Sequence, residues 1–210
     1  MKFEAILWDF GGVITSSPFE AFSRYESTHN LPQDFIRTIN ATNPDNNAWA
    51  RFERSEITAT EFDTAFYAEA QAAGYGVRGA DVLALLAGDI RPTMVALLHE
   101  LKAQHYRLAC ITNNVNTGAG AGMARSERKA HAVAEVMALF EHVFESSKIG
   151  IRKPDPQIYI LAARKLGVAP EKCVFLDDLG INLKPARALG MATIKVTSAT
   201  QAITDLTALL

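Results

Sequence analysis

Near its start the chain reads Ala5-Ile6-Leu7-Trp8-Asp9-Phe10-Gly11-Gly12-Val13-Ile14, an apolar run that leads into an acid and then a pair of glycines. A short apolar run bounded by glycines is typical of a fully buried strand in a parallel sheet. The Gly11-Gly12 pair predicts a turn directly after it. Asp9 is therefore expected at the carboxyl end of a central strand, where open α/β sheets place their ligand sites. Because burying a lone carboxylate is costly, we expect Asp9 to be paired, metal-bound or catalytic, unless it only caps the turn.

The composition indicates an ordinary soluble globular protein. The 210 residues suffice for one large domain, or for a core with a smaller attachment, with a sizeable buried interior. Apolar residues make up 49% of the chain and charged residues 21%. The net charge of −2 offers no basic face, so neither nucleic acid nor a membrane surface is expected as a partner.

Cysteine usage and the amino-terminal sequence favour a cytoplasmic location. Cys110 and Cys173 each lie inside an apolar run, as small buried core residues do. With no disulfide framework indicated, a reducing compartment is expected. The first residues lack the pattern of a signal peptide, and no apolar run approaches the length of a membrane span.

A block of helices is predicted after the first strand. Ser17 and Pro18 suit the N-cap and the first position of a helix. Thr58 and Glu61 fit the pattern of a capping box. Up to residue 90 we find no convincing strand, and expect helices near 18–28, 32–40, 47–54, 58–73 and 80–87.

An alternation of helices and strands begins at residue 91. Buried strands are predicted at 107–112, 142–145, 173–176 and 192–196, with helices between them. This order predicts the α/β class, as a doubly wound parallel sheet with a small helical cap inserted after the first strand. The core is expected to comprise 1–15 and 91–210, and the cap 16–90.

One segment of the second half is expected to be loose. Val115 to Arg128 is rich in Gly, Ala and Asn, and the stretch Gly118–Gly122 resembles a flexible linker. It lacks the Gly-Lys-Ser/Thr ending of a phosphate-binding loop, so we do not assign it that role.

Four polar features follow one another along the chain: Asp9, Thr112-Asn113, Lys153 and Asp177-Asp178. Three of them end predicted strands, and the carboxyl ends of parallel strands lie on one rim of the sheet. Three carboxylates cannot cluster there uncompensated, because each disfavours ionisation of the others. Mg²⁺ accepts such an all-oxygen ligand set, and Lys153 adds a second positive charge. The combination predicts a site for a phosphoryl group, with Asp9 as a nucleophile.

Each feature also has a purely structural interpretation. The Asp-x-Gly-Gly pattern is common in turns, and Thr112-Asn113 suits the satisfaction of backbone groups at a strand end. A Lys-Pro pair such as Lys153-Pro154 is common at exposed turns. Their order along the chain, and their placement at strand ends, favours the site.

Together these residues resemble the haloacid dehalogenase-like hydrolase superfamily, whose motifs are a nucleophilic Asp, a Ser/Thr, a Lys and an acidic pair in this order. Two segments are especially similar to the N-terminal phosphatase-type domain of soluble epoxide hydrolases and to related domains fused to acyl-CoA dehydrogenases. These segments are Lys153-Pro154-Asp155-Pro156-Gln157-Ile158-Tyr159 and Phe175-Leu176-Asp177-Asp178-Leu179-Gly180-Ile181-Asn182-Leu183-Lys184-Pro185-Ala186-Arg187.

The resemblance implies Mg²⁺-dependent hydrolysis of a phosphoester through Asp9. It implies phosphate binding by Thr112, Asn113 and Lys153, with Lys153 bridging the nucleophile and the phosphate. The metal ligands would be Asp9, the backbone carbonyl of Gly11 and Asp178, with Asp177 bound directly or through water. Asn182 would brace the acidic pair.

One position departs from the family pattern. Phosphatases of this family usually carry a second Asp two residues after the nucleophile, as general acid and base, and here that residue is Gly11. Loss of such a group typically lowers the rate by about 10²–10⁴-fold. A reactive leaving group, a cap residue or solvent would then have to substitute.

Three functions remain open from the sequence. The leading one is a Mg²⁺-dependent hydrolase of a small phosphorylated metabolite, as a monomer or homodimer. A metal-independent hydrolytic dehalogenase needs no acid at position 11, which fits Gly11, but it has no metal for the acidic pair Asp177-Asp178 to bind. The third is a phosphate- or metabolite-binding pseudo-enzyme that keeps the metal site without useful turnover.

Overall fold

The computed structural model describes residues 2–115, 123 and 126–210, and these build one parallel sheet of five strands. The strands are β1 (Ala5–Trp8), β2 (Arg107–Thr112), β3 (His142–Glu145), β4 (Cys173–Asp177) and β5 (Ala192–Lys195). Their order in the sheet is β3-β2-β1-β4-β5, and every neighbouring pair is parallel. The first strand is thus central, as predicted.

The described residues also form eleven α-helices. Five form a block between β1 and residue 91: α1 (Pro18–Thr28), α2 (Phe35–Ala41), α3 (Ala48–Glu53), α4 (Ala59–Ala72) and α5 (Gly79–Ala84). Six flank the strands of the sheet: α6 (Pro92–Ala103), α7 (Glu127–Met137), α8 (Ser146–Ile149), α9 (Pro156–Leu166), α10 (Gly180–Ala188) and α11 (Ala199–Leu209).

Helices cover both faces of the sheet, which confirms the doubly wound α/β prediction. Ile6 and Trp8 of β1 join one hydrophobic cluster with residues of α6, α7 and α11. Ala5 and Leu7 join a second cluster, with residues of α9 and α10. Side chains alternate along a strand, and a strand buried on both faces is therefore apolar throughout.

Helices α1 to α5 have a hydrophobic cluster of their own, to which Phe22, Phe62 and Phe66 contribute. The Ser17 hydroxyl caps α1, and Thr58 and Glu61 form the predicted capping box of α4. The chain enters and leaves this block through two paired segments, with a bridge between Thr15 and Ile90. The division into core (1–15, 91–210) and cap (16–90) stays a prediction.

A few local features differ from the expected ones. Helix α2 begins at Phe35 rather than near residue 32, because Asp34 takes a left-handed backbone conformation and Pro32 lies in a turn before it. The short helix α8 and a 3₁₀ turn at Pro170–Lys172 were not predicted, since four or fewer residues carry too little periodicity. The predicted loose stretch Gly118–Gly122 lies outside the described residues. Within them, no helix has both the length and the apolar character needed to cross a bilayer.

Glu26 joins α1 to the start of α2 from a buried position. It is only 2% exposed, and its carboxylate accepts hydrogen bonds from the backbone N–H groups of Asp34 and Ile36, each 2.9 Å long. Asp34 makes no side-chain cap for α2, so Glu26 on α1 satisfies donors that the helix itself leaves free.

We predict that Glu26→Ala lowers the free energy of unfolding by about 2 kcal/mol, because one buried and one partly buried N–H group lose their acceptor. Urea denaturation measures this. The control Glu100→Ala removes an exposed carboxylate on α6 and should change the free energy by less than about 0.5 kcal/mol. Equal losses in the two variants would contradict the capping role.

Candidate active site

Asp9 follows β1 directly and lies at the centre of the predicted site. Its backbone N–H donates to the carbonyl of Leu176 on β4, which fixes the residue at the end of the sheet. Its side-chain Oδ1 accepts from the backbone N–H of Phe10 at 2.7 Å and lies 2.8 Å from Nζ of Lys153. Both contacts use Oδ1, and within the described residues no contact of this kind engages Oδ2. One oxygen of the carboxylate is thus held and the other is left for chemistry.

Lys153 bridges two carboxylates from a fully buried position. Its Nζ lies 2.8 Å from Oδ1 of Asp9 and 2.7 Å from Oδ2 of Asp177, and the residue is 1% exposed. Burial alone would lower the pKa of Lys153, but the two carboxylates outweigh it and hold the pKa above its ordinary value. The ammonium also lies 5.7 Å from the centre of the Phe175 ring. Lys153 is therefore a fixed positive charge, contrary to the exposed-turn interpretation.

The two residues of the acidic pair have different surroundings. Asp177 is fully buried and accepts from Nζ of Lys153, from the Leu179 N–H and from the Asn182 amide, whose Nδ2 lies 3.1 Å from both carboxylate oxygens. Asp178 is partly exposed, with an oxygen 3.5 Å from the Ser17 hydroxyl. Asp177 thus fixes Lys153, whereas Asp178 retains free oxygen lone pairs.

The cluster carries more negative charge than its own residues compensate. Asp9, Asp177 and Asp178 each offer an oxygen, all within 4.8 Å of one another, and Lys153 is the ammonium among them. Burial and the two neighbouring carboxylates raise the pKa of Asp9 well above its usual value, although Lys153 opposes this. Burial and Asp177 raise the pKa of Asp178 to about 6. These oxygens and their unbalanced charge fit a hard divalent cation.

Thr112 and Asn113 lie beside the cluster in different ways. Thr112 is buried as the last residue of β2, the strand next to β1. The Asn113 amide donates to the Lys153 carbonyl at 2.9 Å, and its carbonyl oxygen accepts from the Lys153 N–H at 2.8 Å. The Asn113 side chain therefore positions the backbone of Lys153, in line with its structural interpretation as a residue that satisfies backbone groups, although its partner was not readable from the sequence.

The two glycines after Asp9 have different functions. Gly12 has φ +78°, and a Cβ built there would lie 2.1 Å from an oxygen of Asp178. Gly12 is therefore required both for the turn and for the approach of Asp178. A Cβ on Gly11 would meet no atom within 4 Å. The predicted turn at Gly11-Gly12 is confirmed, and within it only Gly12 has the backbone conformation and the close contact that require glycine.

A buried ion pair next to Lys153 was missed from the sequence. Nε of Arg152 lies 2.6 Å from Oε2 of Glu53 on α3, and Nη1 of Arg152 donates to the Pro44 carbonyl at 3.0 Å. Burial raises the pKa of Glu53, and Arg152 opposes this. A glutamate among the buried positions of α3 was the available signal. The pair joins the helical block to the loop that carries the central lysine.

We predict that Gly12→Ala weakens Mg²⁺ binding by about 10–100-fold, because the new Cβ displaces Asp178 from the cluster. The left-handed backbone adds a destabilisation of about 1–2 kcal/mol. Gly11→Ala is the matched control, with the same added methyl group in open space, and should bind Mg²⁺ as the unmodified chain does. Calorimetric titration with Mg²⁺ separates the two. Equal affinities for both variants would show that Asp178 is not a ligand.

Comparisons with known proteins identify the family to which this chain is similar. The profile of the haloacid dehalogenase-like hydrolases matches residues 3–190. Acyl-CoA dehydrogenase family member 10 of Mus musculus is 32% identical over the whole chain, and bifunctional epoxide hydrolase 2 of Mus musculus is 28% identical over 98% of it. The chain spans only 19% and 38% of the length of these two relatives. A sesquiterpene phosphatase of Aspergillus oryzae is 27% identical over 93% of this chain and 90% of its own length.

Solved structures share the fold at lower identity. A HAD family enzyme from Bacteroides thetaiotaomicron, in complex with magnesium and inorganic phosphate, has a TM-score of 0.59 and 20% identity, over 91% of this chain and 93% of that one. An L-2-haloacid dehalogenase from Xanthobacter autotrophicus, with chloropropionic acid covalently bound, has a TM-score of 0.62 and 16% identity, over 98% and 83%. These two likenesses concern the fold. The profile match over most of the length, with the motifs in the expected order, places this chain in the haloacid dehalogenase-like hydrolase family.

Proposed function

We propose that the chain is a Mg²⁺-dependent hydrolase of a small phosphorylated metabolite that works through an aspartyl-phosphate on Asp9. One observation carries the proposal: Lys153 and the Phe10 N–H hold one oxygen of a buried Asp9, while the other oxygen has no such contact. A carboxylate is a weak nucleophile, and orientation next to a fixed positive charge activates it. The similarity to a sesquiterpene phosphatase, of which the chain covers 90%, supports the same reaction class.

Three residues are proposed to bind the phosphoryl group. Lys153 would face it with its ammonium while holding Asp9, as the bridging position of Nζ allows. Thr112 supplies a hydroxyl at the end of β2. The Asn113 amide has two N–H donors, one of which the Lys153 carbonyl takes, so the other is available.

Asp9, Asp178 and the Gly11 carbonyl are the residues proposed to hold Mg²⁺, with Asp177 bound directly or through water. The bonds that Asp177 already makes to Lys153, Leu179 and Asn182 favour the water-mediated role. When bound, the cation would neutralise negative charge on the phosphoryl oxygens and on the carboxylates.

The reaction follows from these positions in two steps. Oδ2 of Asp9 attacks phosphorus, the bond from phosphorus to the leaving oxygen breaks, and that oxygen keeps the electron pair. Water then attacks phosphorus, the Asp9 carboxylate departs, and both protons of the water end on the released phosphate. Lys153 stays protonated and opposes the negative charge in both steps.

Hydrolytic dehalogenation is the second candidate, favoured by Gly11 and by the fold shared with an L-2-haloacid dehalogenase. In that reaction Asp9 would attack a carbon atom and displace halide, with no need for a metal. The partly exposed Asp178 argues against it, because three carboxylates face a single ammonium unless a cation is present. A pseudo-enzyme that only binds a phosphorylated ligand is the third candidate.

Location and assembly are part of the same proposal. The free thiols Cys110 and Cys173 are both buried, which is consistent with a reducing, cytoplasmic environment. We propose a monomer or homodimer that acts on a small molecule and not on nucleic acid or membranes.

We predict that Asp9→Asn lowers the hydrolysis of p-nitrophenyl phosphate with Mg²⁺ by roughly 10⁴-fold or more, because the nucleophile is lost. The fold should persist, since Lys153 keeps Asp177 as its partner. Asp45→Asn, the same change at an exposed position, should leave the rate unaltered. Activity retained in Asp9→Asn would rule out the covalent mechanism.

The metal requirement separates the candidates. Turnover of p-nitrophenyl phosphate should stop when EDTA removes Mg²⁺ and return when Mg²⁺ is restored. Turnover indifferent to EDTA would argue against the phosphatase, and halide release from a 2-haloacid with EDTA present would favour the dehalogenase. If no phosphoester of a broad panel is turned over, the third candidate, a pseudo-enzyme that only binds a phosphorylated ligand, would be favoured over the phosphatase.

We predict that Mg²⁺ raises the melting temperature more at about pH 7.5 than at about pH 5. The pKa of Asp178 is raised to about 6, so its protonated form favours the folded state, and the metal-free protein loses this stability as the pH rises through about 6. Above about pH 6, bound Mg²⁺ restores the lost stability, because it neutralises the ionised Asp178. Below about pH 6, the cation must first displace a proton from Asp178. Thermal denaturation with Mg²⁺ or EDTA measures this, and a larger Mg²⁺ effect at the lower pH would contradict the assignment.

A further inference from the structure

The groups nearest to Asp9 are unsuited to give a proton to a leaving group. The Lys153 ammonium already lies between two carboxylates, at 2.8 and 2.7 Å. Asp177 accepts hydrogen bonds from Lys153, Leu179 and Asn182, so both of its oxygens are already engaged as acceptors. Asp178 contributes a carboxylate oxygen to the cluster proposed to hold the metal, so it is assigned to that role. Each titratable neighbour of the nucleophile is thus committed to another role.

The space beside the nucleophile is open where an acid would fit. Gly11 lies two residues after Asp9, its φ is not in the left-handed region, and a Cβ there would meet no atom within 4 Å. Gly12, in contrast, cannot bear a side chain, because Asp178 lies against it. The lack of a carboxyl at position 11 is therefore a chemical property of the site, not a packing requirement.

Acids elsewhere in the chain are also bound or distant. Glu53 is paired with Arg152, and Glu145 is bound by Asn114 and Lys148. His142 begins β3, at the opposite end of the strand from the rim that carries Asp9, and the other four histidines are exposed on or next to helices: His29, His99, His105 and His131. The residues outside the described ranges are Met, Asn, Thr, Gly, Ala and Arg, none of which is an acid near neutral pH. Glu20, exposed in the first turn of α1 shortly after the Ser17 cap, is the rival donor to test.

From these observations we infer that the site serves phosphoryl groups whose leaving group departs as a stable anion. The substrate class is acyl phosphates and phosphoanhydrides, whose carboxylate or phosphate leaving groups need no proton at neutral pH. The inference rests on the proposed phosphoryl transfer to Asp9 and adds the identity of the bond that breaks. Simple alkyl phosphates, whose alkoxide leaving group requires a proton, are poor substrates.

The step is balanced without a proton donor. An oxygen of Asp9 forms a bond to phosphorus as the bond from phosphorus to the leaving oxygen breaks, and the electron pair leaves on the carboxylate or phosphate. No proton moves in this step. In the second step water supplies the oxygen of inorganic phosphate and both of its protons, and Asp9 is regenerated as a carboxylate.

The test is the dependence of kcat/KM on the pKa of the leaving group, measured with Mg²⁺ on acetyl phosphate, a series of substituted phenyl phosphates and ethyl phosphate. This quantity reports the steps up to cleavage of the phosphorus–oxygen bond. We expect a steep fall as the leaving-group pKa rises, with ethyl phosphate at least about 10³-fold below acetyl phosphate, in line with the 10²–10⁴-fold contribution of a general acid. The slope of log kcat/KM against the leaving-group pKa, measured on the unmodified chain, tests the inference even if a variant fails to fold.

Gly11→Asp and Gly11→Asn form the matched pair, since the two side chains have similar size and only the first can donate a proton. Gly11→Asp should flatten the slope and raise the rate on ethyl phosphate by about 10²-fold or more, whereas Gly11→Asn should keep it steep. A shallow slope in the unmodified chain overturns the inference while the phosphatase proposal stands, and a slope that steepens in Glu20→Gln assigns the donor to the cap. If the protein hydrolyses neither acetyl phosphate nor any of the phenyl phosphates, the phosphatase proposal itself is overturned.

Discussion

The contact on which the site depends is the bridge of Lys153 between Asp9 and Asp177. A buried ammonium is unfavourable alone, and so is each buried carboxylate, but together they satisfy one another at 2.7–2.8 Å. The bridge fixes which oxygen of Asp9 is free. Other contacts hold the three residues of the bridge in place. Asn113 binds the Lys153 backbone, and Asn182 binds Asp177. The pairing of β1 with β4 places the two acids at adjacent strand ends. The order of the strands in the sheet thus brings Asp9 and Asp177 to the same ammonium and fixes the orientation of Asp9.

Local sequence signals predicted the parts of the structure that depend on neighbours in the chain. The apolar run before Asp9 indicated a central strand, and Ser17 and Thr58 indicated helix starts, because burial on both faces and capping leave short-range patterns. Roles that depend on distant residues were not readable. The Asn113 side chain binds Lys153 forty positions away, and Glu53 pairs with Arg152 across the boundary between the helical block and the sheet. No periodicity encodes such contacts.

The glycine pair shows what structure adds to a motif. Sequence alone suggested one turn made by two glycines, whereas the backbone requires glycine only at position 12, where Asp178 lies against it. Position 11 has room for a side chain, so the absence of an acid there is not imposed by packing and affects only the chemistry of the site. In the proposed reaction, the same rim would combine a firmly held nucleophile, Asp9, with a leaving group that no acid assists. A site of this kind selects substrates by the bond they offer as well as by their shape.

The most direct measurement is an experimental structure with Mg²⁺ and beryllium fluoride, which mimics a phosphoryl group on a carboxylate. The account predicts that the fluoride complex is attached to Oδ2 of Asp9, with Lys153 still in contact with Oδ1 and the cation on Asp178 and the Gly11 carbonyl. Attachment to Asp177 or Asp178, or a cation bound away from Asp9, would contradict it.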